Sequence, residues 1–329
     1  MAFTSGRSAV AGLLTTWLNR QFVSELEWSL QYQKFTTKAI IPPGSGKIGR
    51  FNVFVEPPTN ASYSTTGTTA LNETSTTENQ ITDITANSTD VTISEYGEWL
   101  KTSELAMYAA VPGTRERLTK RLKDGAQLVI DELVRLQAIR TTNYIYCTAA
   151  QTGGTTTFNT GTVTAMNTAA LVQAHKILVS NKAKGFTGIS GHPNGHYAAI
   201  LSPKAELDVV TEVTTGRIYW SNAVVNVSGA LGQEKFVNGY IGSVYGVAVY
   251  ITQNFGTGIT YSVSSTADIQ MVLADGAVGA MAFRDMQPEV VINDVNSPWK
   301  NVDSIAWHIF FGTQQIDGAR SAKIYSATT

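Results

Sequence analysis

The sequence predicts an α+β chain built from an extended two-stranded finger, a long amphipathic helix and a mixed α/β body. Three observations predict it. Residues 51–100 hold no Lys or Arg and are crowded with Ser and Thr. Residues 113–140 carry apolar side chains at helical spacing over about 25 positions, roughly 40 Å at 1.5 Å per residue. After Tyr144, short apolar runs bounded by Gly and Pro alternate with helical patterns.

The N-terminal region reads as a helix over 8–35, because Leu14, Trp17, Leu18, Phe22, Leu26 and Leu30 recur every three to four residues. Ile40-Ile41-Pro42-Pro43-Gly44 ends it and starts an extended segment. Gly49–Val55 alternates with period two, as a strand does, and Pro57-Pro58 stops it. Large apolar residues are then rare until Val91-Thr92-Ile93, which alternates again and returns the chain. Strands thus bracket a polar excursion, which reads as a finger with a soft tip; the competing reading is a disordered linker.

Pro112 suits the first turn of the following helix. Leu118, Leu122, Ala126, Val129, Leu133 and Leu136 predict its buried stripe. Arg115, Arg117, Lys120, Arg121 and Lys123 crowd its first half, where the helix dipole disfavours cations. An external anionic partner would account for that placement. Farther on, Gly153–Thr162 reads as a polar loop, Met166–Val179 as a helix and Tyr197–Leu201 as a buried strand. Pro203 opens another helix, Val244–Ile251 and Ile269–Leu273 read as strands, and Val302–Phe311 and Ala322–Tyr325 as the closing ones.

The bulk numbers narrow the function classes. The chain has 329 residues, 43% of them hydrophobic, which supports one large or two modest domains. Only 15% are charged, and neutral surface suits a protein buried among partners. A net charge of −1 gives no global electrostatic case for binding nucleic acid or membranes. The single cysteine, Cys147, excludes an internal disulfide framework and fits a reducing compartment. No apolar run is long enough to span a bilayer, and Ala9–Leu18 lacks the flanks of a secretory signal.

Motifs for chemistry are weak. Gly44-Ser45-Gly46-Lys47 lacks the earlier Gly and the following Ser or Thr of a phosphate-binding loop; Ile41 and Ile48 stand there. His192 and His196 have the spacing of a helical zinc pair, but Pro193 and Gly195 place them in a loop, and no third ligand is evident. Cys147 follows an apolar strand-like run and reads as buried. Asp131 and Glu132 are adjacent on a helix and do not face each other. No catalytic constellation, cofactor site or metal site is expected.

The order of these parts resembles the HK97-type major capsid protein of tailed bacteriophages, and within it the N4-type family. Gly239-Tyr240-Ile241-Gly242-Ser243-Val244-Tyr245-Gly246-Val247-Ala248-Val249-Tyr250-Ile251-Thr252 is similar to that family's turn and strand. Tyr197–Leu207 resembles the segment before it, and Ser297-Pro298 with Trp307 resembles its C-terminal end. Leu71-Asn72-Glu73 matches the extended loop in part, with Thr74 where that family has Gly.

The resemblance implies an HK97-like capsid fold: an N-terminal arm (1–50), an extended β-finger or E-loop (51–101), a peripheral domain with the spine helix (102–144), an axial α/β domain (145–285), and C-terminal strands (286–329) returning to the peripheral domain. It implies pentamers and hexamers of the chain, closed into an icosahedral head shell around double-stranded DNA, in the virion, after assembly in the host bacterial cytoplasm. Portal, scaffolding and decoration proteins are the implied partners, with no membrane. The inter-subunit contact expected is the acidic finger, with Glu73, Glu78 and Asp83, over the basic helix start, with Arg115, Arg117, Lys120 and Arg121. An encapsulin-like compartment shell shares the implied fold, and a secreted Thr-rich binding or adhesion protein is the reading from another class.

Overall fold

The computed structural model describes residues 31–42, 44–54, 86–103, 114–147, 153–154, 163–214, 240–262, 265–284, 286, 288–294 and 302–327. Two sheets and one long helix organise them. Strand β14 (Val302–Gln315) is the axis of a five-stranded sheet. Strand β4 (Ser94–Ser103) pairs antiparallel along one of its edges, from Val302↔Ser103 to Phe311↔Ser94. Along the other edge run β12 (Val278–Ala282) and β13 (Glu289–Asp294), also antiparallel, and β1 (Thr37–Ile40) adds to β12 in parallel.

The side chains of β14 alternate as a half-covered strand requires. Ile305, Trp307, Ile309 and Phe311 are buried, whereas Ala306, His308 and Phe310 stay partly exposed. Of the N-terminal helix expected over 8–35, the described part is α1 (Gln31–Lys34). It ends before the Ile-Ile-Pro-Pro run, because Thr37–Ile40 is already committed to β12.

The long helix α2 (Thr114–Ala138) matches the expected 113–140 closely. Among the described side chains, its buried apolar positions are Leu122, Ala126, Ile130, Val134 and Ala138, a strict four-residue repeat. Each step of four advances about 40° around a helix of 3.6 residues per turn. The covered face therefore winds around α2, and Leu136, expected in the stripe, is 49% exposed. The winding reflects two supports: β14, whose Thr313 hydroxyl donates to the Leu133 carbonyl, and α1, whose Tyr32 N–H donates to Asp131.

The second sheet has eight strands. Its order is β6 (Gly153–Gly154), β5 (Tyr144–Tyr146), β15 (Ser321–Ala327), β11 (Ser265–Leu273), β7 (Tyr197–Leu201), β9 (Val247–Ile251) and β8 (Tyr240–Val244), with β10 (Gly256–Ser262) also on β11. Tyr-Ala-Ala-Ile-Leu in β7 is buried throughout, as for a strand covered on both faces. Helices α3 (Thr168–Ser180) and α4 (Pro203–Thr214) pack on it. Asn167 caps α3 by accepting the Ala170 N–H at 2.9 Å.

One expectation is corrected here. Val244–Ile251 is not one strand but a hairpin, β8–β9, turning at Tyr245 and Gly246, both at positive φ (46° and 79°). That pair suits a tight two-residue turn whose twist matches the strands. The described strands of residues 286–329 divide between the two sheets. β13 and β14 join β4, but β15 lies between β5 and β11 in the other sheet. Buried Thr141 and Asn143, just past α2, direct this. The Thr141 hydroxyl lies 2.8 Å from both the Gly318 and the Ser321 carbonyl, and Asn143 Nδ2 donates to Ser321 at 3.0 Å.

Candidate assembly surfaces

The root of the finger is a hairpin of β2 (Ile48–Phe54) and β3 (Ala86–Thr92), in register from Ile48↔Thr92 to Phe54↔Ala86. Its inner face forms a small core of its own, where Ile41, Val91, Ile93 and Met281 are buried and Phe51, Phe283 and Phe310 pack against them. Three glycines allow this approach. A Cβ at Gly312 would stand 2.5 Å from the Thr92 carbonyl oxygen, one at Gly279 would collide with the Phe51 ring, and one at Gly49 with Met281 and Ile41. The hairpin is thus pressed onto one face of the five-stranded sheet, with the Thr92 carbonyl close to the Gly312 backbone.

On its exposed side the hairpin carries a two-point ion pair. Arg50 Nε and Nη2 donate to Asp90 at 2.6 and 3.0 Å. The hydrogen bond from Arg50 holds the Asp90 carboxyl below its ordinary range. Both groups are open to solvent, so the pair sets the pairing of the strands more than their stability.

The uncovered part of the same sheet face continues past the hairpin. Trp99 is 62% exposed there, opposite Ala306 in register, with Gly97 opposite His308. The outer side of α2 adds two further exposed apolar side chains, Leu128 and Leu136. Gly125 of this helix faces the Glu98 side chain of β4.

Of the expected contact residues, Glu73, Glu78 and Asp83 lie outside the described residues. Arg115 and Arg117 belong to the first turn of α2, with side chains also outside them. Lys120 and Arg121 are exposed on the next turn. Within one chain, among the described residues, no ion pair joins these bases to an acid of the finger root; its Asp90 is taken by Arg50.

The sequence pattern gives no sign that Asp131 and His192 are buried. Asp131 is 4% exposed and accepts from Tyr32 N–H at 3.0 Å and from Asn254 Nδ2 at 3.1 Å. Burial pushes its carboxyl up to about 6 against those two hydrogen bonds. His192 is also buried, and both its ring nitrogens are engaged, with Tyr250 and with the His196 carbonyl. Its partners are therefore protein groups. Cys147 is buried against Met166. Among the described residues no group of three or more His, Cys, Asp or Glu could hold a metal ion, and no helix is long and apolar enough to cross a membrane.

No family model and no curated protein matches the sequence. Solved structures do match over nearly the whole chain. The capsid of Ralstonia phage GP4 aligns with a TM-score of 0.65 at 12% identity, covering 91% of this chain and 92% of that one. The head structure of Helicobacter pylori bacteriophage KHP40 aligns at 0.63 and 11% identity, covering 92% and 91%. The Cyanophage Pam1 capsid asymmetric unit aligns at 0.60 and 9% identity, covering 86% of each. The chain thus has the HK97-like fold of bacteriophage capsid chains.

Proposed function

We propose that this chain is the major head protein of a tailed bacteriophage, resembling the N4-type family. Copies of it close into pentamers and hexamers, and these tile an icosahedral shell around double-stranded DNA. The observation that carries the reading is the near-complete, reciprocal coverage of phage capsid chains. Neither the sheet nor the helix is an add-on to another fold. The role is mechanical and not enzymatic.

In this reading the finger, launched from the glycine-seated root, lies over the start of a neighbour's α2. Glu73, Glu78 and Asp83 face Arg115, Arg117, Lys120 and Arg121 across the subunit boundary. The exposure of Lys120 and Arg121, and the absence of an intrachain acid on them among the described residues, supports this. Each exposed pair contributes only about 0–1 kcal/mol, but the contact recurs in every subunit of a closed shell. A near-neutral chain suits a container that must not bind its cargo tightly. Portal and scaffolding proteins act at assembly in the host bacterial cytoplasm.

Sedimentation of the full chain, expressed alone and with its genomic neighbours, tests the proposal. Assembly predicts particles far larger than the 35.4 kDa chain. A single small species under both conditions would contradict it, and enzyme cargo in place of DNA would favour the encapsulin-like reading.

A further inference from the structure

The segment Gln31–Phe35 is held at three points by parts of the fold distant from it in sequence. Tyr32 N–H donates to Asp131 on α2 at 3.0 Å. Gln33 Nε2 donates to the Met286 carbonyl at 3.0 Å. The Phe35 ring sits among Tyr250, Phe186 and His192, with centroids at 4.8, 5.2 and 5.5 Å. One end of the segment is thus tied to the long helix and the other to the eight-stranded sheet.

His192 is the member of that pocket that can change charge near neutral pH. Its Nε2 lies 3.0 Å from the His196 carbonyl, which only accepts, so Nε2 carries the hydrogen. Its Nδ1 lies 2.8 Å from the Tyr250 hydroxyl and therefore accepts from it. The ring stacks on Tyr250 (19° between planes) and meets Phe186 edge-on at 89°. A second proton on Nδ1 would confront the hydroxyl hydrogen of Tyr250 in a buried place, and that hydroxyl would have to turn away.

The surroundings do not compensate the charge. The groups facing His192 are His196 from its own loop, Tyr250 from β9 with Tyr240 behind it, and the rings of Phe35 and Phe186. Among the described residues no carboxylate acts on it. Burial holds its pKa below the ordinary imidazole range; the charge of His196 acts in the same direction and the hydrogen bond to its carbonyl opposes.

We infer that Gln31–Phe35 is an acid-responsive hinge: when His192 gains a proton the Phe35 end leaves the aromatic pocket, while the Tyr32 end stays tied to α2 through Asp131. Asp131 titrates in the opposite sense. Its buried negative charge is unfavourable, so taking up a proton relieves a cost, and Oδ1 still accepts from Tyr32. The groups acting on Asp131 are Tyr32, Asn254, Arg135 and Lys34. The two ends of one short segment therefore respond to acid with opposite sign. This holds whatever the chain assembles into.

Hydrogen exchange of the full chain, followed by mass spectrometry and corrected for the intrinsic pH dependence, tests the inference. Between about pH 7.5 and about pH 5, peptides covering Phe35–Ile41 should open about tenfold more often in the natural sequence, and those covering Gly125–Val134 less than about twofold. In His192→Gln, whose amide can serve both partners without taking a charge, the response of Phe35–Ile41 should vanish. An equal rise in both proteins, or no rise in the natural sequence, overturns the hinge. If His192→Gln does not fold, imidazole NMR of the natural sequence decides, with the other histidines assigned through His175→Gln, His196→Gln and His308→Gln. An opening midpoint that coincides with the titration of His192 supports the inference, and one that does not coincide overturns it.

Discussion

Asp131, in the middle of the long helix, accepts the backbone N–H of Tyr32, ninety-nine residues earlier, at 3.0 Å. The carboxyl is buried and pushed up to about 6, against about 3.9 in an unfolded chain. A raised folded value means that the native state binds the proton more tightly than the unfolded one. The corresponding stability is full below the unfolded value and is lost as pH rises through about 6. Wild type should therefore lose about 1–3 kcal/mol from this group between about pH 4 and about pH 7, and Asp131→Asn should not. Urea unfolding of the two proteins across that range reads the difference directly. Asp131→Ala leaves the Tyr32 N–H without its acceptor and should cost about 1–3 kcal/mol near pH 4, the deficit shrinking as pH rises and wild type loses the contribution of its own carboxyl.

Gly312→Ala tests how the finger root is seated. The new methyl would meet the Thr92 carbonyl oxygen, a backbone atom that cannot turn aside as a side chain can. Overpacking of this kind costs about 1–3 kcal/mol. The loss should appear as a lower unfolding midpoint and as faster hydrogen exchange in β2 and β3, with the eight-stranded sheet unaffected. Unchanged protection of the hairpin would mean that the glycine contact does not hold it.

The winding face of α2 predicts a contrast between two leucines. Leu122 is 1% exposed and Leu128 54% exposed, although both lie on the same helix. Leu122→Ala should cost about 2–5 kcal/mol, as buried truncations do. Leu128→Ala should change the stability of the single chain by less than about 0.5 kcal/mol. Thermal or urea unfolding of the unassembled chain separates the two.

Reversing Arg117 and Arg121 to Glu tests the proposed finger contact. The single chain should fold normally, since Arg121 is exposed, while shell yield should fall sharply. The assembly of the natural sequence should also weaken with salt as the screening length drops from about 8 Å at 0.15 M to about 3 Å at 1 M. Normal shells from the double reversal would remove these arginines from the interface.

How much of this was legible in the residues differs by element. The long helix, α4 after Pro203, β7 and strand β2 follow from periodicity and breakers, because their own sequence decides them, whereas the polar first half of β3 is set by its pairing with β2. Strand β4 carries Glu95, Glu98 and Lys101 and looks solvated by sequence; its pairing with β14 makes it a sheet strand. Strand β12, Val-Gly-Ala-Met-Ala, was missed because its small side chains carry little strand preference and are selected by close packing under Phe51. The Tyr245-Gly246 turn was hidden because tyrosine is an unexpected occupant of positive φ. Asp131 and His192 show nothing of their surroundings in the sequence. Their burial depends on Tyr32, Phe35 and Asn254, and no local pattern brings those together.

The most direct test of the central claim is electron microscopy of the chain expressed alone and with its genomic neighbours. The capsid reading predicts closed shells, or rings with five-fold and six-fold symmetry, built from this chain. Uniform monomers or dimers under both conditions would contradict it, and the fold would then serve something other than a shell.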